Sequence, residues 1–181
     1  ILILNDGSTD DFKTVVLQFT DPRVKVMAFP ENMGVQEAMN QMAFRAKGEF
    51  FVQLSADDTI DPTLLEKMMA AVEKNPWLEF VSCQTDFMMM DGTLIVTPPN
   101  PLIARMMQIP KPVNRSREEW LGALYPGNHY FGVGMYRTRT VSDLGGWKKE
   151  MQIISDYEMY LNLLQRENIH IIEENLTHTR I

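Results

Sequence analysis

The sequence predicts an α/β fold with a mostly parallel central sheet flanked by helices, and three observations support this prediction. Short aliphatic runs such as residues 1–4 stop at turn-forming residues, as strands covered on both faces do. Segments with helically spaced apolar residues lie between these runs. The order β, β, α, β, α is complete within about 75 residues, which is typical of an α/β domain.

Strands and helices are predicted to alternate in the first half of the chain. Each strand is a short apolar run, and each helix has apolar positions three or four residues apart. Gly48 supplies a helix stop, and Asp61-Pro62 is expected to open a helix because proline is favoured in the first turn. The strands are expected at residues 1–4, 24–29, 50–54 and 79–84, and the helices at residues 35–46 and from residue 61 onward.

The second half of the chain is expected to be less regular. Asp91-Gly92 is a two-residue turn signal and predicts a hairpin over residues 87–96. The prolines of residues 97–117 predict an irregular surface excursion near a site. Gly145-Gly146 predicts a turn, and Ser155 is expected to be a helix N-cap. The remaining expected elements are strands at residues 131–136 and 169–173 and a helix at residues 155–165.

Composition and charge exclude several classes of protein. Hydrophobic residues make up 45% of the 181-residue chain and charged residues 23%, as in a globular domain rather than a disordered segment. Seventeen basic and 24 acidic side chains give a net charge of −7, which disfavours nucleic-acid binding. No apolar run is long enough for a membrane span. The single cysteine, Cys83, favours a cytoplasmic location, with the inner face of a membrane as the alternative.

Acidic loops follow the predicted elements at residues 5–8, 55–58 and 155–157. The carboxyl ends of strands in an open α/β sheet line one crevice, so loops that are distant in sequence can converge there. Clustered carboxylates beside a phosphate ligand require a cation, and their oxygens favour Mg²⁺ or Mn²⁺. The simpler alternative for any one loop is that its residues only form a turn.

The order of these motifs resembles that of family-2 glycosyltransferases, which have the type A, Rossmann-like nucleotide-sugar-binding fold. Residues 5–10, Asn-Asp-Gly-Ser-Thr-Asp, look like the Asp-Asp-Gly-Ser motif of that family. Residues 53–58 lie where its Asp-x-Asp motif would follow, and residues 145–161 are similar to its acceptor-side segment. Further matches, which extend the resemblance over nearly the whole chain, are Asn32-Met33-Gly34, Asn40, residues 46–49 and Pro62.

The resemblance implies a donor site and a metal site. Asp6, with Asn5 beside it, is implied to contact the base and ribose of the nucleotide. Asp57, with Asp58 next to it, is implied to coordinate Mn²⁺ or Mg²⁺ at the donor diphosphate. The implied nucleotide-binding residues are Asn5, Asp6, Gly7, Ser8, Asn40, Ser55 and Asp57.

The resemblance also implies the chemistry. Asp156 is the implied catalytic general base, because an alcohol nucleophile needs a carboxylate within hydrogen-bond reach. In-line attack from the face opposite the leaving group would invert the anomeric configuration. His129 and Trp147 are candidates for acceptor binding, and a structural role is the alternative for each. Trp147 could stack on a sugar ring.

The implied function is that of an inverting hexosyl- or hexosaminyltransferase in polysaccharide biosynthesis. The expected partners are a nucleotide-sugar donor, with a UDP-sugar favoured, and a saccharide or lipid-linked acceptor. We expect one glycosyltransferase domain over residues 1–181, with a nucleotide-binding half at 1–96 and an acceptor-binding half at 97–181. It would be a fragment of a longer parent protein with further domains.

Several departures from the family pattern leave an alternative open. Asn5 and Ser155 stand where the family usually has an acid, and Ser55 replaces the first acid of Asp-x-Asp. The family's first strand and the histidine after Arg180 are not in this sequence. Ser55 and the lack of that strand and that histidine favour the alternative of a catalytically inactive, glycosyltransferase-like binding or assembly domain. A nucleotidyltransferase is disfavoured because no Gly-rich loop with Arg or Lys follows the first strand.

Overall fold

A computed structural model describes residues 1–109, 111–124 and 133–181, and it confirms the predicted α/β class. Strands and helices alternate through most of the described chain, as the apolar patterns predict. The strands are β1 (Leu2–Asp6), β2 (Lys25–Phe29), β3 (Phe50–Val52), β4 (Thr59–Ile60), β5 (Phe80–Met88), β6 (Met135–Arg137) and β7 (Ile169–Arg180). The helices are α1 (Phe12–Val16), α2 (Val35–Ala43), α3 (Leu64–Lys74), α4 (Pro101–Met107), α5 (Arg117–Leu124), α6 (Thr138–Leu144), a 3₁₀ helix (Lys149–Ile154) and α7 (Ser155–Leu164).

The chain divides into two compact units. The first comprises Ile1–Phe51 and Thr138–Met159, and the second comprises Val52–Arg137 and Tyr160–Ile181. Each unit is therefore built from two separate stretches of sequence. The expected division at residue 96 into a nucleotide-binding half and an acceptor-binding half stays a prediction.

The first unit contains a two-stranded parallel sheet. In it, β1 pairs with β2 so that Leu2 lies opposite Lys25 and Asp6 lies opposite Phe29. Helix α2 packs against β1 and buries Met39 and Ala43. Because the strands are parallel and in register, the loops that follow β1 and β2 begin side by side at the same sheet edge.

The larger sheet has the strand order β3-β6-β5-β7-β4, and β3 spans the point at which the chain passes from the first unit to the second. Strands β5 and β7 are parallel, whereas β6 pairs with β5, and β4 with β7, in the antiparallel sense. The sheet is therefore mixed, with a long parallel pair at its centre, and is not purely parallel. Antiparallel outer strands on a parallel centre are common in sheets of this class.

The centre of the second unit is the long β5–β7 pair, whose register shifts part-way along. Cys83 lies opposite Ile172, and Met88 lies opposite Arg180. β7 therefore advances eight residues (172 to 180) while β5 advances five (83 to 88). Such a bulge leaves the extra residues outside the ladder. The core around this pair includes the buried side chains of Leu64, Met68, Phe80, Val81, Leu163 and Ile171.

The prediction of an irregular excursion over residues 97–117 is wrong, because this stretch contains α4. The Asn100 side chain caps α4 by accepting a hydrogen bond from the Ile103 amide at 3.0 Å. Pro101 is at the start of the helix, where its missing N–H and fixed φ are no disadvantage. The prolines that indicated a loop therefore include one that starts a helix.

Several predicted element ends also need correction. Helix α3 begins at Leu64 rather than at Asp61-Pro62, since the Asp61 carboxylate accepts from the Thr63 amide at 2.8 Å and holds a turn before the helix. Ser155 is the first residue of α7 and follows a 3₁₀ helix, so it is not an N-cap in the expected sense. The predicted hairpin is limited to a bridge between Met88 and Leu94. Strand β5 runs on to Met88, and β7 continues to Arg180 instead of ending at residue 173.

Candidate active site

The loop after β1 is held by its own side chains. Asn5 is buried, and its Oδ1 accepts a hydrogen bond from the Ser8 amide at 2.7 Å. Gly7 has φ +73°, and a Cβ at this position would lie 2.5 Å from the Asn32 nitrogen. Only glycine therefore allows the loop to approach the turn after β2 this closely.

Asp6 joins the two loops at the carboxyl edge of the small sheet. Its Oδ1 accepts from the Met33 amide at 2.7 Å, and its Oδ2 accepts from the Gly34 amide at 3.1 Å. Both carboxylate oxygens thus bind main-chain N–H groups 27 and 28 residues away. Asp6 fixes the entry to α2, whose N-cap is Gly34 with φ 93°.

Asn40 connects α2 to the segment that leads into the 3₁₀ helix. Its Nδ2 donates to the Trp147 carbonyl at 2.8 Å, and its Oδ1 accepts from the Trp147 amide at 2.8 Å. Gly146 has φ +73°, and a side chain there would collide with the Asn40 amide. The glycine directly before Trp147 is therefore explained by packing, because it lets the Asn40 side chain reach the main chain of Trp147.

Asp156 lies in the first turn of α7, next to the buried Trp147 side chain. The residue is exposed on one side, while the protein around its carboxyl group desolvates it and raises its pKa. The neighbouring Trp147 side chain opposes this rise without cancelling it. The preceding residue, Ser155, is buried and its Oγ accepts from Gln36 Nε2 at 3.1 Å, which anchors the helix start to α2.

In the second unit, the loop between β3 and β4 carries two adjacent carboxylates, Asp57 and Asp58. The Asp58 amide donates to the Ser55 carbonyl at 3.3 Å and closes the turn. Asp58 Oδ1 accepts from the main-chain N–H of Arg180 at 2.9 Å, and Arg180 Nε donates to the Asp57 carbonyl oxygen at 2.8 Å. The end of β7 therefore holds this loop at both acids.

The chemistry of this loop fits a divalent cation that also binds a substrate. Burial raises the pKa of Asp58, the hydrogen bond from the Arg180 amide opposes the rise, and the neighbouring Asp57 adds to it. A cation would relieve the repulsion between the two acids. Within residues 1–109, 111–124 and 133–181, no group of three or more His, Cys, Asp or Glu side chains could hold a metal. Mg²⁺-type sites commonly use one or two carboxylates with substrate phosphates and water, so two acids suffice.

The structure brings some predicted site residues together. Asn5, Asp6, Gly7 and Ser8 form one loop, and Asp156 contacts Trp147. Trp147 is 2% exposed, and its acceptor role stays a prediction, as do the ligand roles of Asn40 and Ser55. His129 lies outside the described residues.

Asp6 and Asp156 belong to the first unit, whereas Asp57 and Asp58 belong to the second. Their convergence on one ligand stays a prediction. The contacts of Arg180 were not predicted from the sequence. There, Arg180 served only to locate the family's histidine, which would follow it.

An α/β fold with acidic loops after its strands is the architecture of nucleotide-sugar-dependent transferases, and the sequence comparison agrees. Residues 1–137 match the family model "Glycosyl transferase family 2". The chain belongs to this family, and the predicted enzyme class, a glycosyltransferase, is confirmed.

Curated relatives support the same assignment, and a solved structure shares the fold. The chain is 30% identical over 165 residues to a chondroitin synthase of Pasteurella multocida strain Pm70 and to a hyaluronan synthase of Pasteurella multocida, covering 90% of this chain and 15% of each relative. It is 25% identical over 132 residues to the succinoglycan biosynthesis protein ExoO of Rhizobium meliloti, covering 73% of this chain and 36% of that relative. The fold is similar to that of S. aureus TarS 1-349, with a TM-score of 0.69 at 17% identity, over 99% of this chain and 50% of that one. The chain thus spans a minor part of these curated relatives.

The helices within residues 1–109, 111–124 and 133–181 are all too short or too polar to cross a membrane.

Proposed function

We propose that this chain transfers a hexosyl or hexosaminyl group from a UDP-sugar to a saccharide acceptor, with inversion at the anomeric carbon. The observation that carries the proposal is Asp156, an exposed residue at the start of α7 whose carboxyl pKa is raised by the surrounding protein, in a family-2 chain. Two relatives that bear the names of polysaccharide synthases support a growing polysaccharide as the acceptor. A lipid-linked saccharide is the other acceptor that fits the proposal.

Donor binding is assigned to the loops after β1 and β2. Asp6 already uses both carboxylate oxygens to hold the amides of Met33 and Gly34. It therefore acts by holding these two loops together as well as through any contact of its own with the nucleotide. Asn5 Oδ1 is bound to Ser8, which leaves its amide NH₂ as the group that can donate to a base edge.

The cation site is assigned to Asp57 and Asp58, with Mn²⁺ or Mg²⁺ as the ion. Asp58 is partly committed to the Arg180 amide, so Asp57 is the acid with the freer carboxylate. A bound divalent cation neutralises negative charge on the departing diphosphate. Ser55 contributes no acid at this site, so the protein supplies two carboxylates and the donor supplies the remaining charge.

Proton transfer is assigned to Asp156. A carboxylate that accepts a proton from an attacking hydroxyl group works best when its pKa is closer to the working pH than that of an ordinary aspartate. Desolvation by the surrounding protein moves the Asp156 pKa in that direction. The Trp147 side chain lies next to the carboxyl group, and the Ser155–Gln36 hydrogen bond fixes the helix turn that carries it.

Donor binding is tested by calorimetry on the full-length protein with UDP, in the presence and absence of Mn²⁺. We expect binding that depends on Mn²⁺ and that Asp57→Ala abolishes. Asp143→Ala is the matched control, because it removes a half-exposed carboxylate from α6. Absence of UDP binding in every metal condition would leave the catalytically inactive alternative as the better account.

The base is tested by measuring UDP release from UDP-glucose and UDP-N-acetylglucosamine with chondroitin and hyaluronan oligosaccharides as acceptors. Asp156→Asn should lower turnover by about 10²- to 10⁴-fold while UDP binding persists, because only proton transfer is removed. Full turnover by Asp156→Asn would refute the assignment of the base.

A further inference from the structure

Arg180, at the end of β7, uses its side chain to join two segments of the second unit. Its Nε donates to the Asp57 carbonyl oxygen at 2.8 Å. Its Nη1 donates to the Met89 carbonyl oxygen at 3.0 Å and also to that of Met90. One guanidinium group thus links the acidic loop to the turn that follows β5.

The main chain at the same place reinforces this connection. The Arg180 N–H donates to Asp58 Oδ1 at 2.9 Å, and the Ile181 N–H donates to the Met88 carbonyl oxygen at 3.0 Å. The main chain at the carboxyl end of β7 is therefore hydrogen-bonded both to the acidic loop and to the end of β5. A substitution of the Arg180 side chain leaves these main-chain bonds chemically possible, which separates the role of the side chain from that of the strand.

The residue type suits this task. A guanidinium group carries its N–H donors in a rigid planar fork, whereas a lysine ammonium is a single point on a flexible stem. Three carbonyl oxygens on two segments can be bound together by the fork, and a lysine could reach only part of the set. The Arg180 side chain donates these three hydrogen bonds to carbonyl oxygens rather than to carboxylates, so the bonds place its positive charge beside Asp57 and Asp58 without pairing it directly with either acid.

We infer that Arg180 is a positioning residue that holds the Asp57–Asp58 loop against the turn at Met89–Met90 in the arrangement that receives the cation and the donor diphosphate. This inference rests on the proposed function. Arg180 acts through the main chain of Asp57 and the carboxylate of Asp58. The loop is thereby ordered before the ligand arrives, which reduces the entropy lost on binding.

The experiment compares Arg180→Ala and Arg180→Lys in the full-length protein, with Arg117→Ala as the matched control. Arg117 is in the same unit and pairs with Glu167 just before β7 begins, so its loss changes the net charge equally at the other end of the strand. Two quantities are measured: amide hydrogen exchange of residues 55–60 and 88–93 without ligand, and the Kd for UDP with Mn²⁺. Arg180→Lys keeps the charge and serves as the test if Arg180→Ala lowers the melting temperature too far.

We expect Arg180→Ala to speed exchange in both segments and to raise the Kd by about tenfold, since small misplacements of a binding group have effects of this size or larger. Arg180→Lys should lie between Arg180→Ala and the wild type, and Arg117→Ala should match the wild type in both measurements. Unchanged exchange at residues 55–60 in Arg180→Ala would overturn the inference. Faster exchange with an unchanged Kd would overturn it as well, and so would full recovery by Arg180→Lys, which would assign the effect to charge alone.

The two proposals fail in different ways. If the wild type does not bind UDP, the proposed function fails, and the donor-related part of the Arg180 inference fails with it. If the wild type binds UDP in a manner that depends on Mn²⁺ and Asp57, and Arg180→Ala binds equally well, only the inference about Arg180 fails.

Discussion

The amide group of Asn40 and the main chain of Trp147 bind each other through two hydrogen bonds, each 2.8 Å long. The two residues are 107 positions apart in sequence. The Asn40 side chain serves as a peptide group would, with one donor and one acceptor aligned to one residue of the partner segment. Because Trp147 in turn contacts Asp156, the geometry of the assigned base depends on this pair.

The two glycines before Trp147 give a test of this pair. Gly145 and Gly146 have φ +79° and φ +73°, so alanine at either position costs about 1–2 kcal/mol of backbone strain. A Cβ at Gly145 meets nothing within 4 Å, whereas one at Gly146 meets the Asn40 side chain. Chemical denaturation should therefore show that Gly146→Ala is less stable than Gly145→Ala, by about 1–3 kcal/mol from overpacking. Equal losses would mean that Gly146 matters only for its φ angle.

Asn40→Asp tests the donor half of the same pair. The carboxylate can accept from the Trp147 amide but cannot donate to the Trp147 carbonyl oxygen, so a half-buried acceptor is left facing a negative charge. We expect the free energy of unfolding to fall by about 1–3 kcal/mol. Asn100→Asp is the matched control, because the Asn100 side chain only accepts from Ile103 and aspartate is an equally good helix cap. Equal effects of the two substitutions would contradict the paired arrangement.

Asp6→Asn tests the connection between the loops after β1 and β2. Aspartate accepts from both Met33 and Gly34, whereas asparagine can accept from one and must place its NH₂ group against the other. Stability should fall by about 1–3 kcal/mol, and UDP binding should weaken with it. Asp10→Asn, at an exposed turn where the side chain accepts one bond from Phe12, should change stability by no more than about 0.5 kcal/mol.

Asp156→Asn should stabilise the protein at neutral pH. The pKa of Asp156 is raised in the folded state, so the folded protein binds this proton more tightly than the unfolded chain does. Stability contributed by the group is therefore present below the ordinary pKa of aspartate and is lost as the pH rises through the folded-state pKa. Thermal melts over a pH series should show the variant more stable than the wild type at neutral pH, and the difference should disappear at strongly acidic pH. A variant that melts below the wild type at neutral pH would show that the Trp147 contact outweighs desolvation.

The elements that the sequence predicted best are those whose apolar residues follow the pattern of a single helix or a single strand throughout. β1, β2 and α2 are short and regular, and turn-forming residues bound them. The sequence predicts β7 only as far as residue 173, because residues 174–180 are polar apart from Leu176 and contain no apolar run. Pairing with β5 and β4 stabilises that polar half, and such pairing leaves no local signal.

The acidic residues of the candidate site could be predicted from the sequence, but the residues that hold them in position could not. Asp6, Asp57 and Asp156 stand in motifs that a reader of the sequence can match. Arg180, by contrast, binds main-chain carbonyl oxygens up to 123 residues away. Any residue offers such an oxygen, so the partner positions carry no characteristic side chain.

The bulge in β7 determines how far along the molecule the last strand reaches. Within the bulge, Glu173 binds Asn114 and Glu174 binds Lys67. Neighbouring segments therefore hold these two extra residues in place, although they lie outside the ladder. With an unbroken ladder from Cys83 onward, Thr177 instead of Arg180 would stand opposite Met88. The irregularity thus acts as a spacer of three residues: if the strand straightened while keeping all of its residues, a threonine would stand at the acidic loop in place of the arginine.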